Sequence, residues 1–479
     1  MIRSLLTFYS WRIPTILVYM LQNTEYQAGP YLRWFWETNH FERVMYRRTL
    51  DRTGAARLLL LALRAGIVFE ILIGLAIIWL WSQGRLTGGL YIGAAFLLAY
   101  PVVWAHLAVL PLVLGRIFIV NPRQRRAIRA SRKRFADFRG IKIAVAGSYG
   151  KTTMKELLST VLSEGKKVAA TPANQNVSIS HAIFAKKLRG DEDILVIEYG
   201  EGAPGDVQRF ADITKPTHAV ITGVAPAHLD KYKTLAAAGK DIFSLSKAVA
   251  PERVYINGES PDALQFVQSG QQLYSDKHVL GWDITVTDIG VAGTRFTMRK
   301  GKDKMELKIG LVGRYQVGPL ALVAALAREF GLSVKQIQAG VAKTKPFEHR
   351  MEPYQLGGAW VIDDSYNGNI EGIRCGLQLL KTLSARRKIY VTPGLVDQGR
   401  ESRAIHQIMG RLIADAKPDM VVLMQHSVTA DIQKGLKAGN YQGELLIETD
   451  PLNFYQNLTL FVANGDLVML QNDWPDNYR

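Results

Sequence analysis

Apolar residues run almost unbroken through the first part of the chain and then break into short, spaced groups, and the two patterns predict different architectures. Leu90–Leu114 contains no Asp, Glu, Lys or Arg over 25 residues, enough for a helix to cross a hydrocarbon layer of about 30 Å. Upstream, Ala65–Trp81 is apolar except for Glu70, and Leu58–Leu63 extends it beyond Arg64. The joining stretch SQGRLTGG (82–89) is short and turn-like, so residues 55–120 read as a transmembrane helical hairpin. Before it, residues 1–54 hold shorter apolar runs broken by Arg12, Pro14 and Pro30, with aromatics in YLRWFWE. No small-residue cleavage site follows a proper apolar core, so this part reads as an interfacial segment rather than a cleaved signal peptide.

Beyond residue 140 the pattern changes. IKIAVAG (141–147) is a short β-branched strand, and MKELLSTVLSEG (154–165) has helical spacing and ends on a glycine. Strand and helix signals alternate to about residue 313, which predicts a mainly parallel sheet covered by helices. LALVAALAREFGLSVKQIQAGV (320–341) reads as a helix, a Gly stop and a second helix. From about 350, WVIDD, IYVTPG, MVVLM and LVML recur with helices between them, a second and smaller Rossmann-like α/β domain. The division expected is thus 1–54, the hairpin at 55–120, a basic juxtamembrane linker at 121–139, a central domain at 140–346 and a C-terminal domain at 347–479.

Charge orients this arrangement. The net charge is +17, and between Arg116 and Arg134 stand eight basic residues and no acidic one. Arg43, Arg47, Arg48, Arg52 and Arg57 precede the hairpin, whereas its turn has only Arg85. Basic residues stay in the cytoplasm, so both ends of the hairpin and everything after residue 120 are expected there, in a multi-pass protein of the cytoplasmic membrane. Beside a membrane, residues 116–134 suit anionic lipid headgroups; no specific nucleic-acid partner is expected. The single cysteine, Cys375, excludes internal disulfides and a cysteine-rich zinc site, and fits a reducing compartment.

Between the strand and helix after residue 140 lies Gly147-Ser148-Tyr149-Gly150-Lys151-Thr152-Thr153. Glycines here let backbone N–H groups approach phosphates at a helix N-terminus, with Lys151 placed to neutralise the outer phosphates and Thr152 to hold Mg²⁺. The usual phosphate loop has a further glycine where this chain has Val145, so the loop is a compact form.

This compact loop resembles that of the Mur ligase family, ATP-dependent amide-forming enzymes of peptidoglycan precursor synthesis, and most of all the branch that adds D-alanyl-D-alanine. Further segments match in the family's order over roughly 140–470. TPANQNVSIS (171–180), with Asn174 and Asn176, is similar to a Thr…Asn-x-Asn segment. ILVIEYGEGAPGDV (194–207) resembles the strand ending in a metal-binding glutamate, here Glu198. VAPAHLDKYKTLAAAGKDIF (224–243) resembles the segment of His228 and the lysine helix after it. VYINGESPDA (254–263) supplies Asn257 near adenine. HRMEPYQLGGAWVIDDSYNGN (349–369) resembles the opening of the last domain, with Arg350, Asp364, Tyr366 and Asn367.

The resemblance implies a central P-loop ATPase-like domain and a ligase that passes the γ-phosphate of ATP to a carboxylate, giving an acyl phosphate that an amine attacks. It implies catalytic roles for Lys151, Lys240, His228 and Arg350, and nucleotide contacts from residues 147–153, Asn257, Arg350 and Asp364. Two Mg²⁺ ions would be held by Thr152, Glu198 and His228. Substrate would meet Asn174, Asn176, Tyr366 and Asn367, and Lys240 would carry CO₂ as a carbamate. The acceptor would be a muramoyl peptide, nucleotide- or lipid-linked, the amine a D-amino acid or dipeptide, and the chain a monomer.

Departures are visible. Lys240 falls about one residue off the expected phase, GRYQVGP (313–319) stands where the family commonly has Gly-Arg-His-Asn, and Ile370 replaces a usual proline. MLQNDWPDNYR (469–479) replaces a Lys-Gly-Ser segment, and membrane sequence occupies the place of the domain that holds the uridine diphosphate sugar. The competing readings are a poly-γ-glutamate synthase of the same superfamily, which should lack the last domain, and a membrane-tethered nucleotide-binding regulator. A lipid-amidating relative with a four-cysteine zinc ribbon is excluded by the single cysteine.

Overall fold

The computed structural model describes residues 9–24, 26–37, 50–172, 176–225, 229–346, 349–365, 368–395, 398, 401–425 and 428–472. They fall into two units, Met1–Arg126 and Ala127–Arg479.

In the first unit, the Thr53 side chain accepts from Ala56 N and starts a 29-residue helix, Gly54–Ser82. A second helix, Gly89–Leu107, begins after Gly88 at φ 74°. The two cross closely because glycines face each other: a Cβ on Gly93 would lie 2.7 Å from Gly74 O, and one on Gly66 would collide with the Trp104 ring. Trp104 Nε1 donates to Glu70 Oε2 at 2.6 Å, so the one acid of the first helix has a partner. The expected interfacial segment contains the helices Ile13–Asn23 and Ala28–Glu37. The first of these is a correction to that expectation. It is apolar nearly all round, and Ile16, Leu17 and Leu21 are fully buried in one cluster with Leu63, Ile67, Ala105 and Val109 of the hairpin. The stretch expected as a linker is likewise largely helical, over Asn121–Asp137.

In the second unit a ten-stranded sheet runs through the central domain. Its strands are β1 (Ile141–Ala146), β2 (Val168–Ala170), β3 (Ile194–Glu198), β4 (His218–Ile221), β5 (Val254–Asn257), β6 (Gln272–Tyr274), β7 (His278–Val279), β8 (Trp282–Gly290), β9 (Gly293–Lys300) and β10 (Asp303–Ile309). The order is β10-β9-β8-β7-β6-β5-β4-β1-β3-β2. From β2 to β6 the pairs are parallel, and the near-continuous apolar runs of the inner strands β1, β3, β4 and β5 are buried on both faces, as a helix-covered parallel sheet requires. From β6 onward the pairs are antiparallel. The mainly parallel sheet expected is therefore extended by an antiparallel part that the expectation did not include: WDITVTDIG, TRFTMRK and DKMELKI alternate with period two, the mark of a sheet with one wet face.

Six further strands form the C-terminal sheet: β11 (Glu352–Leu356), β12 (Ala359–Asp364), β13 (Arg387–Thr392), β14 (Met420–Met424), β15 (Glu444–Glu448) and β16 (Asp466–Gln471). Their order is β11-β12-β16-β13-β14-β15, parallel except for β11. Val312 and Tyr315 of the central domain pack into the core of this second sheet with Met351, Ile362 and Ile373. The two α/β domains therefore share apolar contact.

Candidate functional site

The loop after β1 is shaped by contacts that leave no room for side chains. A Cβ on Gly147, at φ 144°, would collide with Thr222 Oγ1, and Gly150, at φ 71°, turns the chain into the helix Lys151–Leu162. That helix starts three residues earlier than its apolar spacing suggests, because Gly150 is its N-cap. Ser148 N donates to Gly223 O at 2.9 Å, and the Thr222 hydroxyl donates to Tyr149 O and, at 3.2 Å, to Ala146 O. Asn257 Nδ2 donates to Thr222 O at 2.9 Å. The C-terminal ends of β1, β4 and β5 thus converge on the loop, where an open α/β sheet places its ligands. Asn257, expected near adenine, spends its amide on this backbone: its Oδ1 also accepts from Glu259 N at 3.0 Å.

The helix from Lys151 buries Met154, Leu157, Leu158, Val161 and Leu162, a face contributing roughly 1.5–3 kcal/mol per large side chain before entropy. Lys155 lies on that same face and is fully buried. Its Nζ sits 3.3 Å from Glu198 Oε2 and 3.2 Å from Glu156 Oε1. Glu198, at the end of β3, is 2 % exposed and is held from several sides. Its Oε1 accepts from Thr152 Oγ1 at 3.0 Å and from Asn176 Nδ2 at 3.4 Å. Its N donates to Thr171 Oγ1 at 3.0 Å, and its O lies 2.8 Å from His181 Nε2. Burial pushes the His181 imidazole down to about 4, so it is neutral there. Lys151 Nζ donates to Gly147 O at 2.5 Å and to Glu201 Oε1 at 2.9 Å.

This donor set fits a divalent cation of the Mg²⁺ type. The hydroxyl of Thr152 and a carboxylate oxygen of Glu198 are already 3.0 Å apart, and Mg²⁺ with oxygen ligands at about 2.0–2.1 Å holds adjacent ligands about 3 Å apart. Ser148 Oγ is buried with no hydrogen-bond partner, and Glu198 Oε2 makes no hydrogen bond and has the Lys155 ammonium 3.3 Å away; a bound phosphate or ion would satisfy these atoms.

Arg350 and Asp364 stand at the opening of the C-terminal domain. His349 and Met351, on either side of Arg350, have φ 60° and 51°, conformations uncommon away from glycine. Asp364 Oδ2 accepts from Gln471 Nε2 at 2.9 Å. Burial raises the Asp364 carboxyl from 3.8 to about 7, against the opposing pull of Gln471, the Met351 amide and Arg350. Its folded pKa is above the unfolded one, so its contribution to stability is full below about pH 4 and is lost as pH rises to about 7. Asp364→Asn is expected to flatten the fall in melting midpoint across that window, and an unchanged slope would contradict the assignment.

Lys240 corrects an expectation. Its side chain is exposed and makes no hydrogen bond or ion pair among the described residues. The inward positions of the helix Leu235–Ile242 belong to its neighbours: Gly239 faces the Phe266 ring, while Asp241 accepts from Gly205 N at 2.8 Å and Tyr232 Oη at 2.7 Å. One residue along a helix is a turn of about 100°, so a carbamate on Lys240 would stand in solvent. Lys240→Ala is expected to shift stability by less than about 0.5 kcal/mol and to leave any ligation independent of bicarbonate; a rate lost in the variant and dependent on bicarbonate in the parent would reinstate the carbamate.

Of the other expected residues, His228, Asn174, Tyr366 and Asn367 lie outside the described residues. The loop 147–153, Asn176 and Glu198 are brought together. Lys155 and Glu201 were not singled out from the sequence, although Lys155 follows Lys151 by one helical turn and Glu201 follows Glu198 by three residues.

Two family models match the chain: Mur ligase middle domain over residues 145–327, and Mur ligase, glutamate ligase domain, over 349–471. Among curated relatives, the UDP-N-acetylmuramoyl-tripeptide–D-alanyl-D-alanine ligase of Escherichia coli K12 is 28% identical over 287 residues, 58% of this chain and 63% of its own. The ligase of that name from Mycobacterium leprae is 27% identical over 362 residues, 69% of this chain and 70% of its own. The chain thus spans less than two thirds of the length of the first of these relatives. Among solved structures, MurF from Acinetobacter baumannii aligns with TM-score 0.63 at 20% identity, over 73% of this chain and 77% of that one. MurF ligase from Thermotoga maritima in complex with ADP aligns with TM-score 0.63 at 21% identity, over 73% and 80%. At these identities the structural likeness speaks to fold alone.

Proposed function

The chain belongs to the Mur ligase family, and from that premise we propose that it is a membrane-anchored, ATP-dependent carbon–nitrogen ligase that adds D-alanyl-D-alanine, or a similar D-amino-acid amine, to a muramoyl peptide. The observation that carries the reading is the pairing of Thr152 with Glu198 at 3.0 Å directly behind Lys151, on the strand ends of a parallel sheet. Joining a carboxylate to an amine is uphill in water, so the carboxylate needs activation by phosphoryl transfer. Such a transfer asks a protein chiefly for positioning and charge neutralisation. Lys151 and the loop amides would face the phosphates, and Thr152 and Glu198 would hold Mg²⁺. A bound Mg²⁺ supplies neutralisation of the phosphoryl oxygens that side chains alone would not complete. Arg350 and Asp364 would act from the C-terminal domain. The presence of that domain, matched over 349–471, favours this reading over a poly-γ-glutamate synthase. The test is coupling of D-alanyl-D-alanine to muramoyl tripeptides, nucleotide-linked and lipid-linked, with ATP. Amide product with equimolar ADP is expected, and no product from either acceptor would overturn the reading.

Membrane anchoring is supported by what the first unit leaves uncovered. The most apolar windows of its long helices are only 22% and 17% buried, unlike a core helix, and Leu61, Phe69, Leu72, Leu98 and Phe118 are exposed. With the basic flanks, this supports a hairpin that would cross the bilayer with both ends cytoplasmic. Reporter fusions after residues 86 and 135 are expected on opposite sides; both on one side would remove the hairpin.

A further inference from the structure

Packed around the loop are two cations, the partly buried Lys151 and the buried Lys155, and two buried anions, Glu198 and Glu201, so each cation already has an anion beside it before any ligand arrives. Lys155 and Glu198 match each other at 3.3 Å. Lys151, the side chain that faces the phosphates, is matched by Glu201: Nζ lies 2.9 Å from Oε1 and 2.8 Å from Oε2. The Glu201 side chain is 4% exposed and that of Lys151 only 14%, so water screens the pair little. Nor is Glu201 free to swing away. Gly200 before it donates to Asn176 O at 2.8 Å, and the Asn176 side chain fills the space where a Gly200 Cβ would stand, with its Cγ 2.7 Å away.

A nucleotide entering without metal would set its phosphate oxygens against Glu201 and Glu198 while finding Lys151 already neutralised. One carrying Mg²⁺ brings the charge that offsets both carboxylates. We propose that Glu201 makes the site selective for metal-loaded nucleotide: it is the counter-ion of Lys151 in the empty site and the repulsive group that rejects metal-free nucleoside di- or triphosphate. The inference rests on the nucleotide-site reading above. A unit charge a few ångströms away in a partly buried site is worth at least about tenfold in affinity.

The test is calorimetric binding of ADP to the full chain in detergent, with Mg²⁺ and with EDTA. The parent is expected to bind ADP at least about tenfold more weakly in EDTA. Glu201→Gln, which keeps the volume and an acceptor for Lys151, is expected to tighten metal-free ADP at least about tenfold and to change Mg²⁺–ADP far less, so that the ratio collapses. Glu201→Asp, which keeps the charge, should retain the ratio; a merely structural role would move both affinities together. Should the Gln variant not fold, Glu201→Ala carries the same prediction. A parent that binds Mg²⁺–ADP with a variant whose ratio is unchanged overturns this inference alone. A parent equally tight in EDTA also overturns it, and a parent that binds no ADP under either condition overturns the nucleotide site as well.

Discussion

Lys151→Ala is expected to lower ATP-dependent ligation by about 100- to 1,000-fold, the usual loss when a preorganised donor is removed from a site of developing negative charge. The structure adds a second consequence. Lys151 is the partner of Glu201, itself 6% exposed, so removing the lysine alone strands a buried carboxylate and lowers stability as well. The double variant Lys151→Ala/Glu201→Ala removes both charges and is expected to recover the parent melting midpoint while remaining inactive. Lys151→Arg is expected to stay impaired, since a planar guanidinium does not fit where a compact ammonium lies 2.5 Å from Gly147 O. A single Ala variant that ligates at near-parent rate would remove the loop from the mechanism.

The largest effect on stability is expected at Lys155. Lys155 is fully buried, and Glu198 is almost so. Breaking such a pair from one side leaves an uncompensated buried charge and costs about 3–5 kcal/mol. Lys155→Met, which keeps the length and apolar stem, is therefore expected to depress the melting midpoint sharply. Lys155→Met/Glu198→Gln should restore much of the loss but weaken Mg²⁺ binding, because one oxygen donor has lost its charge. A Met variant that melts like the parent would mean that neither the pair with Glu198 nor the one with Glu156, the partly exposed second neighbour at 3.2 Å, contributes to stability.

Much of the site was legible because its chemistry is local. The loop from Gly147 to Thr153 declares itself by glycines at fixed spacing, and Glu198 ends a run of buried β-branched residues. The two long apolar helices of the first unit were legible from uncharged length alone. What escaped depended on which face a residue takes. Lys155 reads as a surface lysine until the helix is drawn and it falls beside Leu158 and Leu162. Lys240 reads as central to its helix, yet Gly239 and Asp241 hold the inward positions, a distinction that one residue of register decides. The parallel part of the central sheet was legible from the alternation of strands and helices, whereas the antiparallel extension β8–β10, which carries a period-two signal, was not separated from it. Asn257 illustrates a further limit: the strand end was read correctly, while the commitment of its amide to Thr222 O depends on a neighbour 35 residues away in sequence.

Activation of a carboxylate by phosphate is the step on which a ligase role for this site depends. The most direct measurement supplies an acceptor peptide whose terminal carboxylate carries ¹⁸O, with ATP, Mg²⁺ and D-alanyl-D-alanine, and follows the label by mass spectrometry. If the carboxylate is phosphorylated and then attacked by the amine, one labelled oxygen leaves with inorganic phosphate for each amide bond formed, and the new amide keeps the other. Amide product accompanied by unlabelled phosphate would contradict the mechanism, and ATP turnover without amide would contradict the ligase itself.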